Sequence, residues 1–233
     1  MPKSRSHDEA LRGDLVLQAA QMLAENGADG LSLRDLASAA NTSTTAIYTL
    51  FGGKQELIDA VLAEGFASFS ISQASVELGD DPRRTLVALS HAYRAWALEN
   101  PALYGVMFSR PAIEVDPSSV LASTMIASIG PLREACELLA RAADENTDED
   151  PNQNTPRRIQ TNTHRFQHTP HADSLARTLW AALHGWVELE RQGLLGGPLD
   201  PFTCGTTRAT SENYPDTDTT FEHFVAGVVA GLH

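Results

Sequence analysis

The feature that most constrains this chain is the spacing of apolar residues from Leu31 to Leu57, in LSLRDLASAANTSTTAIYTLFGGKQEL. Leu33, Leu36, Ala37 and Ala40 recur at i, i+3, i+4 and i+7, which predicts a short helix with one apolar stripe and with Arg34 and Asp35 on its wet side. Ser32 precedes that run and Asp35 follows three positions on, an arrangement that satisfies the free amides of a helix start. Asn41-Thr42-Ser43 then interrupts the pattern, because Asn tolerates the left-handed backbone that ends a helix and Ser43 can cap the next one. A second helix is expected from Thr44 to about Phe51. It has Ala46, Ile47, Leu50 and Phe51 available for packing, and Thr44, Thr45, Tyr48 and Thr49 for an outside contact. Gly52-Gly53 stops it, and Lys54 opens a third helix whose ammonium and first free amides would both favour a phosphate. Two short helices joined by a turn of about three residues have the dimensions of a helix-turn-helix. Spacing alone leaves open a plain helical hairpin within an all-helical core.

The pattern SxRDLAxxAxxSxxxIYxxFxxKxELI resembles the N-terminal DNA-binding domain of the TetR family of bacterial repressors, through Ser32, Ala37, Ala40, Ser43, Ile47, Tyr48, Phe51 and Lys54. A leading helix is also readable, since Leu11, Leu15, Val16, Ala19, Ala20 and Leu23 lie along one face and Asn26-Gly27 ends it. The resemblance covers residues 8 to 66. In such a domain the exposed side of the second helix reads base edges in the major groove, while hydroxyls, cations and helix N-termini hold phosphates. It therefore implies base contacts from Thr44, Thr45 and Thr49, and backbone contacts from Ser32, Arg34, Ser43, Tyr48 and Lys54. Tyr48 is equally suited to packing with its hydroxyl at the edge. Threonines offer a methyl for thymine and a hydroxyl for either donor or acceptor, so they specify less sharply than Arg or Asn.

Two positions depart from the family pattern. Asn41 stands where Gly is frequent, and Thr44 stands where Lys or Arg is frequent, which removes a phosphate contact. Residues 1 to 60 hold five cations (Lys3, Arg5, Arg12, Arg34, Lys54) against eight acids (Asp8, Glu9, Asp14, Glu25, Asp29, Asp35, Glu56, Asp59), a net of -3. Non-specific affinity comes mainly from neutralising phosphates, so weak binding to random DNA and ready loss of operator binding with salt are expected. The segment MPKSRSH is either a short basic arm that compensates or simply a disordered terminus.

The formal net charge of the whole chain is -13, which leaves -10 beyond residue 60, so most of the acid excess lies in the second half. No run of 18 apolar residues is present to span a membrane, and residues 1 to 13 are too polar for a signal peptide. With only Cys136 and Cys204 there is no disulfide framework, and a reduced, cytoplasmic protein is expected.

An all-α fold is expected throughout: a helix-turn-helix domain over residues 1–53, a linking helix over 54–79, and a helical regulatory and dimerisation domain over 80–233. Within that last part the periodicity predicts helices from Arg83 to about Glu99, from Ala102 to Phe108, and from Ser118 to about Ala143 with a bend at Gly130-Pro131. Residues 144–170 and 200–220 are nearly all polar and read as loops. His164, His168 and His171 have H-x3-H-x2-H spacing, but the segment lacks helical periodicity and a nearby Cys or carboxylate pair, so no metal and no cofactor is expected. Cys204 reads as an ordinary exposed thiol.

The stretch LARTLWAALHGWVELERQGLL from Leu175 to Leu195 resembles the C-terminal regulatory domains of TetR-type proteins that carry a Trp followed by His-Gly, here Trp180, His184 and Gly185. Trp180, Leu183, Val187 and Leu194 would supply an apolar face. Paired with FVAGVVAGL near the C-terminus, it implies a four-helix homodimer interface; both helices could instead merely close the monomer core. The family likeness also implies a pocket for a small apolar or aromatic effector. The candidate lining residues are His91, Trp96, Tyr104, Met107, Phe108, Met125, Ile129, Trp180 and His184, with Tyr93 nearby. Core packing is the competing role for each. The leading function is a repressor released from a palindromic operator by its ligand. The alternatives are a helical binding module with weak or no DNA binding, or an enzyme. Against an enzyme, the best acid–base candidate is only His184 near Glu188, with no nucleophile–base pair or phosphate loop.

Overall fold

The computed structural model of the chain describes residues 3–108, 116, 118–147, 169–195 and 216–232, with side chains from residue 8 onward except at 144–147. Among these residues the regular structure is helical: α1 (Lys3–Gly30), α2 (Leu33–Ala39), α3 (Thr44–Phe51), α4 (Lys54–Ala74), α5 (Pro82–Glu99), α6 (Pro101–Phe108), α7 (Val120–Ser128), α8 (Gly130–Thr147), α9 (Pro170–Arg191) and α10 (Thr217–Ala230). They cluster into two units. One is Met1–Gln73 with Trp96–Ile129, and the other is Ala74–Ala95 with Gly130–His233.

In the first unit, α1 buries Leu15, Val16, Ala19, Ala20 and Leu23 of the expected stripe and leaves Leu11 half-buried. Gly27, at φ 68°, breaks the helix where the sequence ends it, and a last turn follows to Gly30. Leu36 and Ala37 of α2, Ile47 of α3, and Leu57, Ile58, Val61, Leu62, Phe66 and Phe69 of α4 are buried. Asn41 takes φ 52°, the left-handed conformation the turn demands. Asparagine bears that conformation better than other residues with a Cβ. Replacing Asn41 by Ala is therefore expected to cost about 1 kcal/mol and replacing it by Gly almost nothing, read as the difference in thermal midpoint; equal midpoints would remove the conformational argument. The helix α1 begins at Lys3, so Lys3 and Arg5, read as a flexible lead, have helical backbone. The short apolar helix α6 packs along α1. A Cβ placed on Gly65 of α4 would stand 2.7 Å from Met107 Sδ and 3.8 Å from Leu103 Cβ. Only glycine permits that approach of α4 to α6 without displacement.

In the second unit α9 packs against both α8 and α10. The Arg133 guanidinium donates to Asp173 Oδ1 from Nε and Nη2 at 3.1 and 2.9 Å, joining α8 to the first turn of α9. Glu137, only 2% exposed, accepts from Arg141 and from the amide and hydroxyl of Thr169, the residue that caps α9. Arg83 of α5 donates to the carbonyl of Val229, which also accepts from Leu232 N, and to that of Leu232 just past the end of α10.

Four boundaries differ from the sequence expectation. The linking helix stops at Ala74, short of the expected residue 79. The expected bent helix is two: α7 ends at Ser128, and α8 starts at Gly130 with Pro131 in its first turn, where a missing N–H costs nothing. The α8 backbone continues to Thr147, beyond the expected stop at Ala143, because a helix already nucleated propagates at little cost per residue. At the other loop Asp216 accepts from Thr219 N at 2.7 Å and starts α10 at Thr217, a cap that the polar composition of the region concealed. The rest of both polar segments lies outside the described residues, with His164, His168 and Cys204.

Candidate nucleic-acid interface

The helix-turn-helix is built by its caps. Ser32 Oγ accepts from Asp35 N at 3.3 Å and Ser43 Oγ accepts from Ala46 N at 3.1 Å. Each serine thus uses a lone pair on its own helix and keeps its O–H proton, which is what a phosphate oxygen needs. Ile47 is fully buried and fixes which way α3 rolls. Thr45 and Thr49 are exposed, Tyr48 is 55% exposed, and Thr44 is half-buried. The exposure of Tyr48 separates it from the buried side of α3. Thr49 Oγ1 donates to Thr45 O at 2.9 Å, so its proton is engaged and it offers a methyl and lone pairs outward.

Arg34 is exposed and Lys54 half-buried at the start of α4. Neither makes an ion pair among the described residues, and Arg12 makes none either, whereas Arg94, Arg133, Arg141 and Arg191 are each paired with a carboxylate. The sequence reading missed Arg12, whose guanidinium carbon lies 5.1 Å from the centre of the Phe51 ring. It also missed a competitor: Glu56 turns back over Gly53, its Oε2 2.8 Å from where a Cβ would stand, so the α4 N-terminus already faces a carboxylate.

The nine residues named for an effector fall into separate groups. In the first unit, Tyr104 is 1% exposed with its ring edge-on to Phe108 at 4.9 Å, and Met107 lies against Gly65. Trp96 donates to Ser68 Oγ at 2.9 Å and meets Phe69 edge-on at 5.1 Å. Met125 is half-buried and Ile129 is 36% exposed. In the second unit, His91 lies edge-on to Phe221 at 5.2 Å. His184 brings Trp180 and Tyr93 together, with ring centres 6.4 Å from Trp180 and the Tyr93 hydroxyl 3.4 Å from Nδ1. A cleft of about 280 Å³ between α1 and the turn is lined by Ala10, Leu11, Asp14, Ala40, Asn41 and Thr42, none of them a candidate. The expected apolar face of α9 also divides: Leu183 and Val187 are buried, while Trp180 is 41% exposed. Spacing gave no sign of the stacked Trp186 and Phe224, 4.6 Å apart, or of Arg94, which bridges three helices.

Burial holds His184 below the usual imidazole pKa, with Arg191 acting in the same direction and Glu188 opposing. A histidine depressed in the folded state binds its proton more tightly when unfolded, so its contribution is present above about pH 6.5 and is lost as pH falls below it. His184→Gln is expected to flatten the decline of the urea midpoint between about pH 7 and pH 5; an unchanged decline would remove His184 as its source. Cys136 is fully buried and its thiol is pushed up to about 12, which leaves it unreactive at neutral pH.

Comparison with known proteins places both halves. The family model "Bacterial regulatory proteins, tetR family" matches residues 15–61. The model "Tetracyclin repressor-like, C-terminal domain" matches residues 86–205, just over half of the chain. The HTH-type transcriptional regulator Rv1816 of Mycobacterium tuberculosis is 26% identical over 112 residues, covering 47% of this chain and 48% of that protein. The regulator Mb1846 of Mycobacterium bovis matches over the same extent. The chain thus spans about half the length of the curated relatives it matches. Among solved structures, a bacterial regulatory protein in the tetR family from Rhodococcus RHA1 superposes with a TM-score of 0.62 at 17% identity, over 95% of this chain and 96% of that one. The TetR family transcriptional regulator PfmR from Thermus thermophilus has a TM-score of 0.54 at 19% identity, over 75% and 83%.

Proposed function

Because this chain belongs to the TetR family of bacterial regulatory proteins, we propose that it is a transcriptional repressor, binding a palindromic operator as a homodimer and released by a small apolar or aromatic effector. The observation that carries this reading is the outward face of α3, where Thr45, Tyr48 and Thr49 stand exposed on a helix fixed from behind by the buried Ile47. A helix so mounted can enter a major groove and meet base edges with Thr44, Thr45 and Thr49. Ser32, Arg34, Ser43, Tyr48 and Lys54 then hold phosphates. The same reading makes the protein a regulator rather than an enzyme, acting in the cytoplasm, where its DNA is. No helix among the described residues is long and apolar enough to cross a membrane.

Dimerisation is proposed through α9 and α10. Gly185 and Gly227 have open space where a Cβ would stand, and Ala181, Ala226, Ala230 and Leu189 are exposed beside them. A second copy could approach closely over these small residues. Gly185→Arg is expected to convert the dimer to monomer in sedimentation, and a persisting dimer would move the interface elsewhere. Release is proposed as a population shift: the effector binds more tightly to a state in which the two recognition helices are spaced wrongly for half-sites about one helical turn apart. The effector residues proposed are the nine named above, among which Tyr104 with Phe108 and His184 with Trp180 are ring pairs.

The direct test is selection of duplexes from a randomised pool at low salt. Recovery of a palindrome, and loss of its binding in Thr45→Ala and Tyr48→Ala, is the expected result; failure to select any sequence sinks the repressor reading. Glu56→Gln removes the carboxylate at the α4 N-terminus and is expected to tighten binding about two- to fivefold. Unchanged affinity would mean that no phosphate sits there.

A further inference from the structure

We infer that Arg12 is a phosphate contact at the C-terminal end of the recognition helix, held in place by the ring of Phe51; this rests on the operator-binding reading above. Arg12 belongs to α1, yet its guanidinium carbon lies 5.1 Å from the centre of the aromatic ring that closes α3. A guanidinium held over a ring and without a carboxylate partner keeps N–H donors available for a bidentate oxygen pair. Arg12 is exposed, and no carboxylate pairs with it among the described residues, although Asp8, Glu9 and Asp14 share its helix. The surface beside it is uncovered, since a Cβ on the adjacent Gly13 would meet nothing within 4 Å.

The dimensions of α3 supply the second half of the argument. Its eight residues span about 12 Å, close to the roughly 12 Å width of the major groove. A helix of that length lying across the groove has a phosphate wall near each end. Ser43 meets the wall at the N-terminal end. At the other end α3 itself offers Leu50 and Phe51, followed by Gly52 and Gly53, with no cation of its own. Arg12 stands there from a different helix, beside the Phe51 ring. It also answers the charge deficit, because the opening residue of α3 is Thr44 rather than a cation.

The experiment uses the full chain and a duplex recovered by the wild-type protein from a randomised pool, with affinity measured from about 50 to 200 mM salt. Arg12→Gln is expected to weaken binding about tenfold at the low-salt end and to reduce the slope of log affinity against log salt by about 0.9. Arg12→Lys keeps the charge and is expected to keep the slope while losing part of the affinity. A structural staple between α1 and α3 would alter the melting temperature and leave the slope alone. A wild-type slope in Arg12→Gln overturns the inference while leaving operator binding intact. Recovery of no duplex by the wild-type protein overturns both.

Discussion

Arg94→Met is expected to destabilise the second unit by about 3 kcal/mol, roughly a 150-fold change in its folding equilibrium. Arg94 joins three helices of that unit. Its Nε and Nη2 donate to Glu190 of α9 at 2.7 and 2.5 Å, its Nη1 meets Asp218 of α10 at 2.7 Å, and its guanidinium carbon lies 4.8 Å from the centre of the Phe221 ring. The Arg94 and Glu190 side chains are 13% and 12% exposed, so removing the cation leaves a nearly buried carboxylate without its counter-charge. The hydrogen bonding to Glu190 is the largest influence on the guanidinium and raises its pKa above the ordinary value; burial opposes it, and Asp218 adds to it. Asp218 is 80% exposed, so solvent screening weakens what it adds to stability. The distinguishing measurement is the double variant Arg94→Met with Glu190→Leu, in urea denaturation. Replacing both partners by apolar groups is expected to restore most of the loss, since the cost lies in the unpaired charge and not in the missing bridge. A double variant as unstable as the single one would mean that the guanidinium acts mainly by packing on Phe221.

The contrast between this bridge and the helix-turn-helix explains what the sequence could disclose. The signals at Ser32, Asn41, Ser43 and Gly52 are local: each acts on backbone within four residues, so cap chemistry and the 3.6-residue period name both the helices and the outward face of α3. Tyr48 shows the limit of that reading, because spacing left it between packing and contact and only its 55% exposure assigns it to the outside. Arg94 and Glu190 are 96 positions apart, and nothing in either helix's own pattern marks them as partners. Arg83 is equally silent, since its acceptors are carbonyls at Val229 and Leu232. The effector candidates could not be sorted from core for a related reason. Bulky residues at helical spacing identify buried faces, and Tyr104, Met107 and Trp96 are buried, but burial does not distinguish a pocket wall from core. Arg12 needed the fold as well, because a cation on α1 gains its meaning only from the ring at the end of α3.

Gly65→Val is expected to destabilise the first unit by about 2 to 3 kcal/mol, and Gly65→Ala by much less. The two substitutions separate helix propensity from space. Ala in the interior of α4 gains about 0.5–1 kcal/mol over Gly in backbone terms. Its Cβ would nevertheless stand 2.7 Å from Met107 Sδ and 3.0 Å from Met107 Cγ. The thioether chain is flexible and can turn aside for a single methyl, so the two effects nearly cancel. A branched Val adds two further carbons at the same point, and Met107 is only 9% exposed, with little open volume to retreat into. The helix α6 cannot simply move away either, because it packs along α1 while Leu103, Tyr104 and Val106 are buried with it. Met107→Ala empties the contested space, so Gly65→Val combined with Met107→Ala is expected to be more stable than Gly65→Val alone, read as the urea midpoint. If the double variant shows the simple sum of the two losses, the close approach of α4 to α6 is not what excludes a side chain at position 65.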